Sequence, residues 1–397
     1  MQPYPHPPPG ESMQLRRQTI LGLVGYLFIG TASVLIPSVM PSITGEYAAA
    51  GLSLAAIGLI FPAPALGAIV GNLLAGVAAD LLGYGRLVLL SALLLAAALA
   101  LAGLAQPWLL FLAAFAVISA TQSALATGLN VLIVDANPQA RGRALNTLHG
   151  VYGIGAAVSP LIFGYLLHNG LPWRWALGGT ALLWFVYGMG SLLLQRRPAA
   201  RSVRRRMPAI DFSMLRARPF LALFAVAFIY NGVAYSLLGW VALFMQKSAG
   251  FSAFFSISLI SVFYVALTMG RFACAAISER IGYGSTLLLL AVGITTTYPL
   301  LVLSSSALWV AAGVFLTGLS LSGLFPTALA YGSRLYPERT GTVSGTLSVS
   351  MTLSAMIPPV WTGVIAERWS FQTALGVNYL MVVALLVVAI YLRRNDR

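Results

Sequence analysis

The sequence predicts an all-α membrane protein whose twelve spanning helices form two pseudo-symmetric six-helix bundles. Three observations carry that reading: too few charges to cover a water-facing surface, apolar runs long enough to cross a bilayer, and an internal repeat that halves the chain. Of 397 residues, 59% are hydrophobic and 8% charged, against about 25% charged in a soluble domain. Taking about 20 apolar residues per span, and cutting at charges and at Pro, Gly and Asn clusters, places spans at 18–43, 54–79, 86–105, 107–135, 141–168, 173–195, 219–246, 254–277, 284–304, 307–335, 340–366 and 372–392.

The repeat is read at a constant offset of 199. Gly83, Tyr84, Gly85, Pro138, Gly142, Pro160 and Gly164 recur as Gly282, Tyr283, Gly284, Pro337, Gly341, Pro359 and Gly363, with Asp80 answered by Glu279. These matches fall on residues that set turns and close approaches and not on common apolar residues, so they mark a duplicated unit. An even number of spans per copy implies two parallel bundles related by an axis along the membrane normal.

In chain order, residues 1–17 are expected to be a disordered cytoplasmic tail, because MQPYPHPPPGES is too rich in proline for a helix. The apolar run after Arg16 and Arg17 is long enough to span and has no small-residue cleavage site, so it is not a signal peptide. Residues 18–195 form the first bundle, 196–218 a basic linker, 219–392 the second bundle and 393–397 a short tail. The linker carries eight arginines and one acid, Asp211. Its apolar flanks exclude a nucleic-acid arm and leave a cytoplasmic loop facing anionic lipid headgroups. Nineteen of the 23 basic residues fall on the side of both termini and of the loops after even-numbered spans, so that side is expected to be cytoplasmic, in an inner or plasma membrane. Span 11 alternates Ser344, Thr346, Ser348, Ser350, Thr352 and Ser354. That strand-like period is overruled in lipid, where an open strand leaves its backbone unpaired, and the hydroxyls are expected to bond one turn back or to neighbouring helices.

After span 2 comes GVAADLLGYGR and after span 8 its copy AAISERIGYGS. The first resembles the Gly-x-x-x-Asp-x-x-Gly-x-(Arg/Lys)-(Arg/Lys) signature of the major facilitator superfamily through Gly76, Asp80, Gly83 and Arg86; Gly85 stands where a second basic residue is common. The resemblance covers residues 16–394 and implies the major facilitator fold, a transporter and not an enzyme, with alternating access. It also implies gating roles for Asp80, Arg86 and Glu279. The loops DANPQARGR and RLYPERTGT resemble the superfamily's inter-helix salt-bridge clusters, with Asp135 and Arg141 or Arg143 as the pair.

Span 5, LNTLHGVYGIGAAVSP, resembles the fucose-permease-like, sugar:proton symporter-like branch through Asn146, His149, Gly153, Gly155 and Pro160. Span 7, FIYNGVAYSLLGW, resembles the same branch, but Ala234 stands where relatives often carry a glutamate, which puts proton coupling in doubt or leaves it to His149. The stretch from Gly155 to Gly164 also partly resembles a drug/proton antiporter motif. No acid lies mid-span, so His149 is the group there able to titrate near neutral pH; the alternative is that it bonds between helices. Gln122, Asn146, His149, Tyr152, Asn231, Tyr235 and Tyr264 are the substrate-binding candidates, and Arg271 joins the gating set. One cysteine and three scattered histidines hold no metal, and no cofactor is expected. The expected partner is a small polar, sugar-like solute, with protons as the coupling ion and the chain a monomer. Efflux of drugs or organic ions, and a solute sensor that does not transport, are the alternatives.

Overall fold

The computed structural model describes residues 9–137, 141–194, 214 and 216–396. The side chains of residues 9–12, 76, 80, 141–143, 146, 193–194 and 341 lie outside that description, as does most of the basic linker. Among the described residues every regular element is helical: α1 (Pro9–Ser33), α2 (Leu35–Ala49), α3 (Leu54–Ile57), α4 (Pro62–Leu82), α5 (Tyr84–Leu104), α6 (Trp108–Ala136), α7 (Arg141–His168) and α8 (Trp173–Leu194) in the first half. The second half holds α9 (Arg218–Ser248), α10 (Ala253–Ile281), α11 (Tyr283–Leu303), α12 (Ala307–Leu321), α13 (Leu324–Leu335), α14 (Thr340–Arg368) and α15 (Phe371–Arg394). Among the described residues eleven segments are long and apolar enough to cross a bilayer; α8, 22 residues or about 33 Å long, answers to the twelfth expected span. Helix α1 starts at Pro9, so part of the segment expected to be an irregular tail is helical. A proline is tolerated there because the first helical position needs no N–H.

Three spans are interrupted, and one chemical cause accounts for all three. Proline cannot bond the carbonyl four residues back and its ring pushes against it. Pro37 lies four residues after Ser33, where α1 ends; Pro62 lies four after Gly58, where a 3-10 turn (Gly58–Ile60) separates α3 from α4; Pro326 lies four after Ser322, between α12 and α13. In the other copy these prolines are answered by Ser236, Ser261 and Thr127, and α9, α10 and α6 run unbroken. Pro299 does not break α11: the carbonyl it frees, on Thr295, accepts the Tyr379 hydroxyl at 2.9 Å.

The 199-residue register extends to the helix ends. Helix α5 (84–104) maps onto α11 (283–303), and α6 (108–136) onto the span of α12 and α13 (307–335). Gly51 and Gly83 have φ of 90° and 79°, and their counterparts Gly250 and Gly282 have 69° and 85°, a left-handed turn that only glycine makes without strain. Ser53 and Ser252, also 199 apart, each cap a helix by accepting the N–H three residues on.

The chain divides into two compact units. Unit 1 is Met1–Ser33, Leu66–Val158 and Pro172–Arg205; unit 2 is Val34–Ala65, Ser159–Leu171 and Arg206–Arg397. In unit 1, α5 packs against α6 and α8 through Leu87, Val88, Leu95 and Leu99. In unit 2, α9 is the central helix: from Ile229 to Met245 all residues but Tyr235 are buried, against α14, α15 and α2, as expected of a helix apolar on every face. Trp240 donates to the Pro359 carbonyl at 2.9 Å, its ring lies 5.5 Å from Phe61, and the Ala55 N–H donates to Glu367 at 2.8 Å. The span 11 hydroxyls bond as expected: Ser348 to Ser344 O, Thr352 to Ser348 O, and Ser350 across to Phe224 O.

Candidate functional site

In unit 1, α1 carries Tyr26, Gly30 and Ser33 at intervals of four and three, and α7 carries His149, Tyr152 and Ala156 at three and four, so each set lies on one helix face. Two glycines bring these faces together. A Cβ on Gly30 would run into the Tyr152 carbonyl oxygen, and one on Gly155 into the Leu27 carbonyl oxygen. At that separation the Tyr152 hydroxyl donates to Ser33 Oγ at 2.9 Å, Ser33 Oγ donates to the Gly30 carbonyl at 2.7 Å, and the Tyr26 and His149 rings meet edge to face with centroids 5.3 Å apart.

The neighbouring face of α1 meets α6. Gln122 Nε2 donates to the Ile29 carbonyl at 3.2 Å, and the Tyr26 hydroxyl donates to Asn130 Oδ1 at 2.7 Å. Tyr26 is 4% exposed and so is held between the polar groups of α6 and α7. Asn130, Val131 and Val134 of α6 and Leu145 and His149 of α7 line an open cleft of about 390 Å³, within the usual range for a small-molecule site. His149 is eight residues, about 12 Å, into α7, and Asn130 is six residues, about 9 Å, before the end of α6. The cleft therefore lies in the half of the spans nearest the α6–α7 loop.

The second copy lacks this chemistry. Tyr26, Gln122, Asn130, His149 and Tyr152 are answered at 199 residues on by Ala225, Leu321, Leu329, Ser348 and Met351. Helices of this length and register are thus built without the polar stripe.

Of the residues expected at the site, Gln122, His149 and Tyr152 converge around α1. In unit 2, Asn231 is buried and its amide donates to the Met351 carbonyl at 2.7 Å and to Ser354 Oγ at 3.3 Å, fastening α9 to α14. Tyr235 is half-exposed, and Tyr264 lies edge-on to Phe263. Arg86, Asp135, Arg271 and Glu279 are exposed; Glu279 accepts the Tyr283 hydroxyl at 2.9 Å. The side chains of Asp80, Arg143 and Asn146 lie outside the described residues. The signature copy in unit 2 has a partner that the sequence did not indicate: Asp396 accepts the Gly284 N–H at 2.8 Å and pairs with Arg334, whose guanidinium lies over the Tyr283 and Tyr331 rings. Tyr26 and Asn130 were also missed. Both are polar residues inside apolar spans, the rule that singled out Gln122.

Comparison with known proteins gives a match of residues 21–359 to the family model of the Major Facilitator Superfamily. The chain belongs to the Major Facilitator Superfamily. As a member of that superfamily it is a multi-pass membrane transporter and not an enzyme. It is 22% identical over 356 residues to the uncharacterized MFS-type transporter YfkL of Bacillus subtilis (strain 168), covering 87% of each chain. It is also 23% identical over 286 residues to the glucose/mannose transporter GlcP of the same organism, covering 66% of this chain and 67% of GlcP. Among solved structures, a bacterial homolog of the human lysosomal transporter Spinster, in an inward-facing and occupied conformation, matches with a TM-score of 0.79 at 17% identity over 99% of both chains. The nucleoside transporter NupG matches with a TM-score of 0.80 at 14% identity, over 96% of this chain and 98% of its own. At such identities the structural likeness speaks for the superfamily fold alone.

Proposed function

We propose that the chain moves a small polar solute across the inner or plasma membrane by alternating access, with His149 as the group that carries the coupling proton and both termini cytoplasmic. The observation that carries this reading is the polar stripe of Tyr26, Gln122, Asn130, His149 and Tyr152, which the first copy holds and the second replaces with Ala, Leu, Ser and Met. Polar side chains inside apolar membrane spans cost free energy and are kept where they contact a solute or an ion. His149 lines the cleft, and histidine is the side chain whose ordinary charge change falls nearest neutral pH.

A fucose-permease-like, sugar-transporting role draws on the Asn146, His149, Gly153 pattern of span 5 and on the likeness to GlcP. Asn231, Tyr235 and Tyr264 are the second-copy contributors, Asp80, Arg86, Asp135, Arg143, Arg271 and Glu279 the gating set, and the 196–218 arginines the contact with anionic lipids. The working unit is a monomer. Efflux of amphipathic compounds is the second reading, favoured by the cleft lining: three of its five residues, Val131, Val134 and Leu145, are apolar.

Uptake into proteoliposomes, measured at several pH values after a thermal-shift screen of sugars, organic anions and drugs, tests the proposal. Solute accumulation driven by an inward proton gradient, and its loss in His149→Ala, are expected. An unchanged pH dependence in His149→Ala removes the coupling role, and no transport of any screened solute removes the proposal.

A further inference from the structure

Two helix breaks in the first copy fall where the chain passes from one compact unit to the other. Unit 1 stops at Ser33, four residues before Pro37, and resumes at Leu66, just after Pro62 and Pro64; residues 34–65 belong to unit 2. Each break separates two anchored stretches. Ser33 accepts the Tyr152 hydroxyl in unit 1, while Val34, Leu35, Val39, Met40 and Ile43 are buried in unit 2, where α2 packs on α9. At the second break, a Cβ on Gly67 or Gly71 of α4 would run into the Ala116 or Ala120 carbonyl oxygen of α6 in unit 1. Phe61, six residues before Gly67, instead lies against Gly239 and Trp240 of α9 in unit 2. In unit 2, Gly58 faces the Val360 backbone, Gly363 faces the Trp240 ring and the Leu54 carbonyl, and the Ala55 N–H donates to the Glu367 carboxylate at 2.8 Å. Pro37 and Pro62 are answered by Ser236 and Ser261, which lie within the unbroken α9 and α10. A jointed segment of the first copy thus rests on continuous helices of the second.

From this arrangement we propose that residues 34–61 form a lid at the end of the spans opposite the two termini, and that it opens by bending at Ser33–Val34 and at Gly58–Pro62 while α1 and α4 stay in place. A proline leaves the carbonyl four residues back without its helix bond, so these two points lack the bonds by which a helix resists bending. Phe61 is the plug: its ring occupies the space that the missing side chain of Gly239 leaves on α9. Ile57 and Ile60 are buried beside it. Glu367 is a positioning residue that holds the lid closed through the backbone of α3. The inference rests on the alternating-access reading and specifies which segment admits the solute from that side of the membrane.

The test is thiol labelling of the purified full-length protein in lipid nanodiscs with a membrane-impermeant maleimide, read site by site by peptide mass spectrometry. Val39→Cys puts a thiol on the face that the closed lid hides, and the native Cys274, also buried, reports general loosening of the chain. In this background Glu367→Ala is expected to raise the labelling rate at residue 39 about threefold, the effect of losing an exposed charge-assisted contact. Phe61→Ala is expected to raise it further. Pro37→Ser and Pro62→Ser supply the residues of the unbroken counterparts, and with them a helix bond that must break before the lid swings; each is expected to lower the rate about threefold. Cys274 is expected to label at the parent's rate in every variant. Gly239→Ala, whose methyl displaces the Phe61 ring, is expected to act like Phe61→Ala and keeps the test decisive if a proline variant does not fold. Unchanged labelling at residue 39 in Glu367→Ala and Gly239→Ala, equal rises at residue 39 and Cys274, or proline variants that label at the parent's rate overturn the inference. The labelling needs no solute: expected rates in a protein that takes up none of the screened solutes support the lid and speak against the transporter reading, whereas uptake with unchanged rates overturns the lid alone.

Discussion

Gly155 and Gly150 lie on the same helix, five residues apart, and predict opposite outcomes for the same substitution. A methyl group on Gly155 meets the Leu27 carbonyl oxygen, a backbone atom that cannot swing aside, whereas nothing lies within 4 Å of one on Gly150. The methyl would lie 2.1 Å from that oxygen where ordinary contact begins at 3.4 Å, so α7 must retreat from α1 by more than 1 Å, and overpacking of this kind costs about 1–3 kcal/mol. The retreat stretches the Tyr152–Ser33 bond from 2.9 Å beyond bonding distance; a hydrogen bond between membrane helices contributes about 0.6–1.7 kcal/mol. Gly155→Ala should therefore destabilise by about 2–4 kcal/mol. Gly150→Ala should be neutral or stabilising by up to about 1 kcal/mol through helix propensity. In thermal unfolding of the detergent-solubilised protein, the first variant should melt on the order of 2–5 °C lower and the second no lower than the parent. Equal melting temperatures would refute the close crossing of α1 and α7 on which the whole site depends.

Asn231→Ala should lower stability by about 1–2 kcal/mol, because its amide joins α9 to Met351 and Ser354; calorimetry of solute binding then tells whether it also serves the substrate. Asp396→Ala removes both the Arg334 ion pair and the acceptor at the start of α11. A loss of about 1 kcal/mol is expected in thermal unfolding at low salt and a smaller one at high salt, where the exposed pair is screened. Pro326→Thr, which supplies the residue that the unbroken α6 carries at the corresponding position, Thr127, should restore the bond to the Ser322 carbonyl and slow amide hydrogen exchange between α12 and α13.

Much of the fold was legible because it is written in residues with strong local effects. Gly83 and Gly282, Pro138 and Pro337 expose the duplication, and the same offset locates helix ends to within a residue or two across several spans. The breaks were less legible. Pro37, Pro62 and Pro326 interrupt helices while Pro160, Pro299 and Pro359 do not, and the difference at Pro299 lies in Tyr379, on another helix. The site was legible in part for the same reason. His149, Gln122 and Tyr152 announce themselves as polar residues in apolar spans, but Asn130 and Tyr26 gain their meaning from each other, 104 positions apart in sequence, and no local period encodes that pairing. Asn231 shows the converse. Its amide donors are taken up by Met351 and Ser354 on α14, neighbours that sequence spacing does not reveal.

The central claim, a transporter whose coupling proton sits on His149, is tested most directly by proton flux in proteoliposomes loaded with a pH-sensitive dye. Addition of a transported solute outside should acidify the lumen with the parent protein and leave it unchanged with His149→Ala. Solute uptake without acidification in the parent, or equal acidification in the variant, would contradict the account.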